Sequence, residues 1–159
     1  MSSAAPTPAR HKLPKNARFA VVAARFNSAI VDALLSGCVR QLQSLGVASN
    51  CIETHQVPGA FELPLAAKVL AHTGRYAAVI CLGCVIRGDT PHFDYVAGEA
   101  ARGIQTAMLA ESLPIIFGVL TTDTEEQARQ RCGGIHGNAG ERAADAAVEM
   151  AALMFQLRG

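Results

Sequence analysis

Phe19-Ala-Val-Val-Ala-Ala24-Arg-Phe-Asn-Ser28-Ala-Ile-Val-Asp-Ala-Leu-Leu-Ser-Gly-Cys-Val-Arg-Gln-Leu-Gln-Ser-Leu-Gly46 changes its hydrophobic period within a few residues. Its first six residues are apolar without interruption, the pattern of a strand buried on both faces. From Ser28, which is placed to cap a helix, the apolar positions Ile30, Val31, Leu34, Leu35, Cys38, Val39, Leu42 and Leu45 recur at helical spacing, and Gly46 stops the run. A strand that feeds a helix of this length is the first half of a crossover between parallel strands.

The same alternation continues along the chain. Cys51–Val57 reads as a second strand, ended by Pro58-Gly59, and a helix runs next from about Phe61 to Thr73 with Pro64 tolerable in its first turn. Tyr76–Leu82 is a third strand. A long polar loop runs from Gly83 to about His92, then a helix to Ser112 with Pro114 just beyond. Ile115–Leu120 is a fourth strand; Thr122, Asp123 or Thr124 can cap a short acidic-fronted helix. After the glycine-rich stretch from Gly133 to Gly140, an Ala-rich helix runs from Glu141 to about Gln156. Strands separated by helices long enough for crossovers give an α/β fold, a three-layer α/β/α sandwich around a four-stranded parallel sheet. Ligands in such sheets bind outside the carboxyl ends of the strands. That places attention on Arg25–Asn27, Pro58–Glu62, Gly83–His92 and Thr121–Thr122. No repeat or second domain is visible, so residues 1–17 are expected to form a flexible basic arm and 18–159 a single domain.

Composition sharpens this. The chain has 159 residues, 50% apolar and only 17% charged, against a usual charged share of roughly 25%. A compact monomer of 16.7 kDa has roughly 7,600 Å² of surface, so each of the 27 charged side chains would have to cover about 280 Å². Part of the surface is therefore expected to face another subunit. The small side chains of Ala143, Ala144, Ala146, Ala147, Ala151 and Ala152 suit close helix approach, and this helix is expected to contribute to that interface. No apolar run approaches the ~20 residues of a membrane span. A net charge of +1 argues against a nucleic-acid partner. Arg10, Lys12, Lys15, Arg18 and Arg25 lie within the acid-free first 31 residues, leaving the remainder at −4. The arm lacks the apolar region of a signal peptide, which points to the cytoplasm. Five cysteines in apolar contexts read as reduced, buried thiols. Cys81-Leu-Gly-Cys84 is no metal site on this reading: residues three apart in a strand point to opposite faces, and no second such pair exists.

Chemistry concentrates in Gly83-Cys-Val-Ile-Arg-Gly-Asp-Thr-Pro-His92. A glycine-bearing loop with Thr90, leading into a helix, offers backbone N–H groups and a hydroxyl to an anion such as phosphate. His92 at its end either moves protons near neutral pH or is a hydrogen-bonded helix-start histidine. Phe26, directly after the first strand, either stacks on a planar heterocycle at the mouth or lids the core. Glu62 could accept hydrogen bonds from a polyol or complement a helix N-terminus, and Arg131 could hold phosphate or complement a helix C-terminus.

Together these residues resemble the 6,7-dimethyl-8-ribityllumazine synthase family of riboflavin biosynthesis. The matching pieces are Arg25–Asn27, Val57-Pro-Gly-Ala-Phe-Glu-Leu-Pro64, Leu82-Gly-Cys-Val-Ile-Arg-Gly-Asp-Thr-Pro-His-Phe-Asp-Tyr-Val96, Phe117-Gly-Val-Leu-Thr-Thr122 and Arg131 through Gly-Asn-Ala-Gly140. They come in the family's order and spacing over nearly everything from Phe19 onward. The resemblance implies a flavodoxin-like fold and the condensation of 5-amino-6-(D-ribitylamino)uracil with 3,4-dihydroxy-2-butanone 4-phosphate, releasing phosphate and water. It implies that Phe26 stacks on the pyrimidine, Ala60, Phe61 and Glu62 hold the ribityl chain, and the backbone of Cys84, Val85 and Ile86 reads the ring edge. Asp89 and Thr90 would contact the phosphate with Arg131 as its cation, and His92 would carry protons. In the family, the equivalents of Phe117 and Arg131 reach the site from the adjacent subunit of a pentamer, and riboflavin synthase is a further partner. No metal or organic cofactor is implied.

Two positions depart from the family pattern. Ala139 stands where lysine is frequent, and Asp89 stands where Ala or Glu is usual, its carboxylate directed away if the loop amides face an anion. With lysines only at 12, 15 and 68, an enzyme-derived Schiff base is disfavoured, and the substrate's own amine would attack the ketone. Two rival readings remain: a module that binds flavin or lumazine through Phe26 without turnover, and a shell of twelve pentamers. The short turn from Cys132 to Gly140 permits a shell, while the prolines of the arm disfavour the strand-like contact between N-termini. A pentamer or a pair of pentamers is expected.

Overall fold

The computed structural model of the chain describes residues 6–7 and 12–159. The other positions of the arm, including Arg10, lie outside the described residues. Where the arm meets the domain, Leu13 and Ala17 pack against the core.

The elements alternate as the hydrophobic pattern requires: β1 Phe19–Ala24, α1 Ser28–Ser44, β2 Ile52–Val57, α2 Leu63–His72, β3 Ala78–Ile86, α3 His92–Glu111, β4 Ile115–Thr122, α4 Glu125–Arg131, β5 Cys132–Gly134, β6 Gly137–Asn138 and α5 Ala139–Arg158. The four main strands form one parallel sheet in the order β2-β1-β3-β4. Helices cover both faces, giving the three-layer α/β/α, flavodoxin-like arrangement.

Strand alternation divides the apolar residues into two cores. Phe19, Val21 and Ala23 face α1 and α5, together with Ile80, Leu82 and Cys84 of β3. Ala20, Val22 and Ala24 face α2 and α3, together with Val79 and Cys81. Every residue of β1 is therefore buried, which is why its sequence shows no polar alternation. Cys81 and Cys84 belong to different cores, as their three-residue separation along a strand requires. Among the described residues no helix is long and apolar enough to cross a membrane.

Several boundaries differ from the sequence pattern. β3 continues four residues beyond Leu82 because β4 continues beside it, pairing Gly83 with Val119, Cys84 with Leu120, Val85 with Thr121 and Ile86 with Thr122. The cap of α1 is Asn27 rather than Ser28, and Asn27 sits in the left-handed region at φ 56°, a conformation asparagine tolerates better than most residues. Of the three candidates at α4, Thr124 is the cap. Its hydroxyl accepts from the Gln127 N–H, and the Gln127 side chain accepts in turn from the N–H groups of Asp123 and Thr124.

The close approach expected of the Ala-rich helix is made within the chain. Ala143, Ala144, Ala147, Ala151 and Ala152 are buried within the chain itself, leaving only Ala146 of the six partly open. Small residues allow α5 to approach α1 and the sheet closely. A methyl group at Gly140 would collide with the Leu34 carbonyl, one at Gly37 with the Asn138 side chain, and one at Gly118 would lie 3.3 Å from the Ala143 methyl. Buried Asn138 completes the join. Its amide donates to the carbonyls of Ala33 (3.0 Å) and Cys132 (3.4 Å), and its oxygen accepts from the Gly140 N–H at 2.8 Å. Replacing Asn138 with alanine removes a helix cap and the side-chain donation that joins α5 to α1, so a loss of about 1–2 kcal/mol is expected. A drop in thermal midpoint relative to wild type would show it.

Candidate active site

In the order β2-β1-β3-β4 the chain leaves β1 toward β2 on one side and places β3 on the other, so a crevice opens between the carboxyl ends of β1 and β3. Three hydrogen bonds shape it. The Arg25 N–H donates to the Val57 carbonyl (2.9 Å) and the Phe26 N–H to the Pro58 carbonyl (3.1 Å), which brings the ends of β1 and β2 together. The left-handed turn at Asn27 lets its amide donate to the Cys84 carbonyl at 2.8 Å, tying β1 to the far end of β3.

The result is a cleft of about 540 Å³ whose walls come from four segments. Phe26 and Asn27 supply one side, and Gly59 through Glu62 the next. Cys84, Val85 and Ile86 form the floor, and Gly88, Thr90, His92, Phe93, Tyr95 and Val96 complete the rim. The lining is mainly apolar with a few converging polar groups, the usual constitution of a small-molecule site. Its aromatic members are unusually open: Phe26 is 74% exposed, Phe61 57% and Tyr95 68%. Rings left this accessible have no part in the core and can stack on a planar ligand. Phe26 therefore does not lid the core.

Glu62, Arg131 and His92 each take a defined local role. The Glu62 carboxylate accepts from the Gly59 N–H at 2.9 Å, tying down the single turn that precedes α2, while its residue still lines the cleft. Arg131 donates to the Gln127 carbonyl at 2.9 Å within the last turn of α4. His92 is the first residue of α3, and its backbone N–H lies 3.5 Å from the Thr90 hydroxyl. Its imidazole engages no other group among the described residues and faces the cleft.

Of the residues expected from the sequence, the structure gathers Phe26, Ala60, Phe61, Glu62, Cys84, Val85, Ile86, Thr90 and His92 around one cavity. Asp89, Phe117 and Arg131 do not line it. Asp89 is exposed on the loop between Gly88 and Thr90, which do. Phe117 lies in β4 opposite Cys81, on the face of α2 and α3, and is 44% exposed. Tyr95 and Val96 also line the cavity, and the sequence does not single them out. They stand three and four positions after His92, on the same helix face, and that spacing is the signal that could have found them.

No lysine lines the cleft; Lys68 faces a groove between α2 and α3. Among the described residues no group of three His, Cys, Asp or Glu side chains could hold a metal ion. All five cysteines are free. Burial pushes the thiols of Cys38 and Cys81 up to about 12 and that of Cys84 to about 11, from an ordinary 9.0. These thiols are structural, and a thiol reagent should leave all three unmodified until the protein is unfolded. Unfolded thiols ionise from about pH 9 while the folded ones stay protonated, so their contribution to stability is complete below that pH and is lost as pH rises toward 11 to 12. The urea midpoint should fall over that window, and a C38A variant should flatten the slope; an equal slope in both proteins would contradict this.

Comparison with known proteins agrees with this geometry. Residues 16–155 match the family model described as 6,7-dimethyl-8-ribityllumazine synthase. A protein of that name from Desulfatibacillum aliphaticivorans is 50% identical over 141 residues, covering 89% of this chain and 91% of its own. Another, from Desulfosudis oleivorans, is 54% identical over 140 residues, covering 88% and 89%. Similarity this high across nearly the whole length of both partners, including every segment that builds the cleft, places the chain in the 6,7-dimethyl-8-ribityllumazine synthase family, the transferases that form lumazine in riboflavin biosynthesis.

Proposed function

We propose that the cleft condenses 5-amino-6-(D-ribitylamino)uracil with 3,4-dihydroxy-2-butanone 4-phosphate to 6,7-dimethyl-8-ribityllumazine, releasing phosphate and water. The observation that carries this reading is the convergence of an open aromatic ring, an unengaged imidazole and a hydroxyl-bearing loop on one cavity: Phe26, His92 and Thr90. Phe26 stacks on the pyrimidine. Ala60, Phe61 and Glu62 hold the ribityl chain, and the strand end at Cys84, Val85 and Ile86 presents backbone groups to the ring edge. The substrate's 5-amino nitrogen attacks the ketone carbon, whose oxygen leaves as water. The phosphate departs with its bonding electron pair after the proton on the neighbouring hydroxyl-bearing carbon is removed. The resulting enol becomes a methyl ketone, and the second amine attacks that carbonyl carbon and closes the ring, its oxygen leaving as a second water. The protein supplies orientation, proton transfer through His92 and a grip on phosphate through Thr90 and the loop amides at Asp89.

Mixing the two substrates and following lumazine absorbance together with phosphate release tests the reading. Product from wild type is the expected result; binding of lumazine without any product would favour a non-catalytic binding module. A Phe26→Ala variant should raise KM for the pyrimidine about 5- to 100-fold, the range that loss of one ring stack spans. Phe26→Tyr should stay near wild type.

The working unit on this proposal is a homo-oligomer built from pentamers, in which Phe117 and Arg131 of one subunit complete the cleft of the next. In its support, neither residue lines the cleft of its own chain. Leu65, Val69, Leu109, Ile135, Phe155 and Leu157 are also exposed by more than half, more apolar surface than a lone subunit has reason to show. Riboflavin synthase would act on the product as a partner enzyme, and reduced thiols suit a cytoplasmic setting. Light scattering at two protein concentrations should give about 84 kDa for five chains of 16.7 kDa, or twice that. A megadalton particle would replace this assembly with a shell.

A further inference from the structure

Arg87 is the first residue after β3 and does not line the cleft, yet it touches three segments around it. Its backbone N–H donates to the Thr122 carbonyl at 2.9 Å, adding one more rung beyond the last paired residues of β3 and β4. Its Nε donates to the Asp123 carboxylate at 2.9 Å and its Nη1 to the Asp94 carboxylate at 3.3 Å. The guanidinium carbon lies 4.2 Å from the centre of the Phe93 ring. Asp94 and Phe93 belong to the first turn of α3, beginning at His92, and Asp123 opens the turn into α4. One side chain thus clamps the two ends of the loop 88–91 to each other and both to the end of β4.

We propose that Arg87 is the positioning residue that sets this loop, and with it Thr90 and His92, for the phosphate-bearing substrate; the inference rests on the function proposed above. A surface ion pair by itself contributes little. Arg87 differs in three respects. The segment it closes is only as long as Gly88–Pro91, so a displacement at either end is passed to Thr90 and His92 with little slack. The two carboxylates and the ring occupy different parts of a planar fork, which fixes its orientation as a lysine ammonium would not. Arg87 also balances charge, since Asp94 and Asp123 flank a loop that already carries Asp89 and would otherwise repel an incoming phosphate. Misplacement of a binding group by about 1 Å costs up to about 10²-fold in rate.

The test compares Arg87→Met, which keeps the stem but not the fork, with Arg87→Lys, using the assembled protein. Arg87→Met should raise KM for the butanone phosphate at least about tenfold and weaken calorimetric binding of inorganic phosphate to a similar degree, within the cost expected of a misplaced binding group. KM for the pyrimidine substrate, held by Phe26 and Ala60–Glu62, should stay within about twofold, and Arg87→Lys should recover only part of the loss. Equal changes in both KM values, or none in either, would overturn the proposal. Should Arg87→Met fail to assemble, Asp123→Asn and Asp94→Asn carry the test, since each releases an anchor of Arg87 while removing a carboxylate that repels phosphate. A KM for the butanone phosphate that rises despite the gain in positive charge reports the positioning role, and an unchanged or lowered KM in both would overturn it. Absence of product from wild type would instead refute the proposed reaction, while the phosphate titration would still report on Arg87.

Discussion

The His92→Ala variant should lose about 10²- to 10⁴-fold in kcat, the span typical of a removed general acid–base group, with KM for either substrate changed by no more than a few-fold. The structure makes this a clean experiment. The imidazole makes no hydrogen bond with any other described side chain, so its removal leaves no orphaned partner. The backbone N–H that meets the Thr90 hydroxyl is retained, and α3 still begins in an exposed position where alanine is acceptable. Stability should therefore remain within about 0.5 kcal/mol of wild type, as for most surface substitutions. Of the other groups lining the cleft that could exchange a proton, Glu62 is engaged by the Gly59 N–H, the Cys84 thiol is buried and Tyr95 presents a phenol. Added imidazole should restore part of the lost rate. Unchanged turnover in the variant would remove His92 from the mechanism while leaving the cleft as the binding site.

Gly140→Ala should be the most damaging glycine-to-alanine change in this chain, at about 3–5 kcal/mol, beyond the ordinary cost of an overpacked core. The new Cβ would overlap the carbonyl oxygen of Leu34 and stand 2.8 Å from its carbonyl carbon. Both are backbone atoms in the middle of α1, so no side-chain rotation relieves the clash. α5 would have to move away from α1, lengthening the 2.8 Å bond from the Gly140 N–H to Asn138 and separating the alanine layer from the sheet. A loss of that size is a large part of the roughly 5–15 kcal/mol that holds a domain folded. A denaturation midpoint near that of wild type would show that α5 can slide without cost. Gly140 lies in the α1 and α5 layer and does not border the cleft, so protein recovered at low temperature should bind substrate normally.

Much of the site is legible in the sequence because its residues sit at strand ends. The uninterrupted apolar run of β1 announces a strand covered on both faces, and the residues directly after such a strand in a parallel sheet lie at the ligand-binding edge. Phe26, Ala60–Glu62 and Thr90–His92 are located on that basis, and the family motifs strengthen it. The extension of β3 to Ile86 is not legible. Gly83 and the polar residues after Ile86 read as loop, and only the partner strand ending at Thr122 shows that Cys84, Val85 and Ile86 remain in the ladder. The helix of alanines is legible only in part, for a related reason. Small side chains state that something approaches closely, but not whether that neighbour is a second subunit or α1 of the same chain.

Periodicity, caps and breakers act over a turn or a pair of residues, and the chain alone therefore carries the α/β alternation, the split of Cys81 and Cys84 between two faces and the edge of the sheet where ligands bind. Sheet order, strand register and helix approach rest on contacts between residues far apart. The Asn138 amide reaches Ala33 across 105 positions, and Gln41 donates to Asp145 across 104. Only the folded chain brings such groups within 3.0 Å of one another, and only there does Arg87, one cation in a polar loop, meet Asp94, Asp123 and Phe93 at once. Local chemistry specified what each segment could be; the meeting of distant segments decided which side chains share a cavity and which hold it in shape.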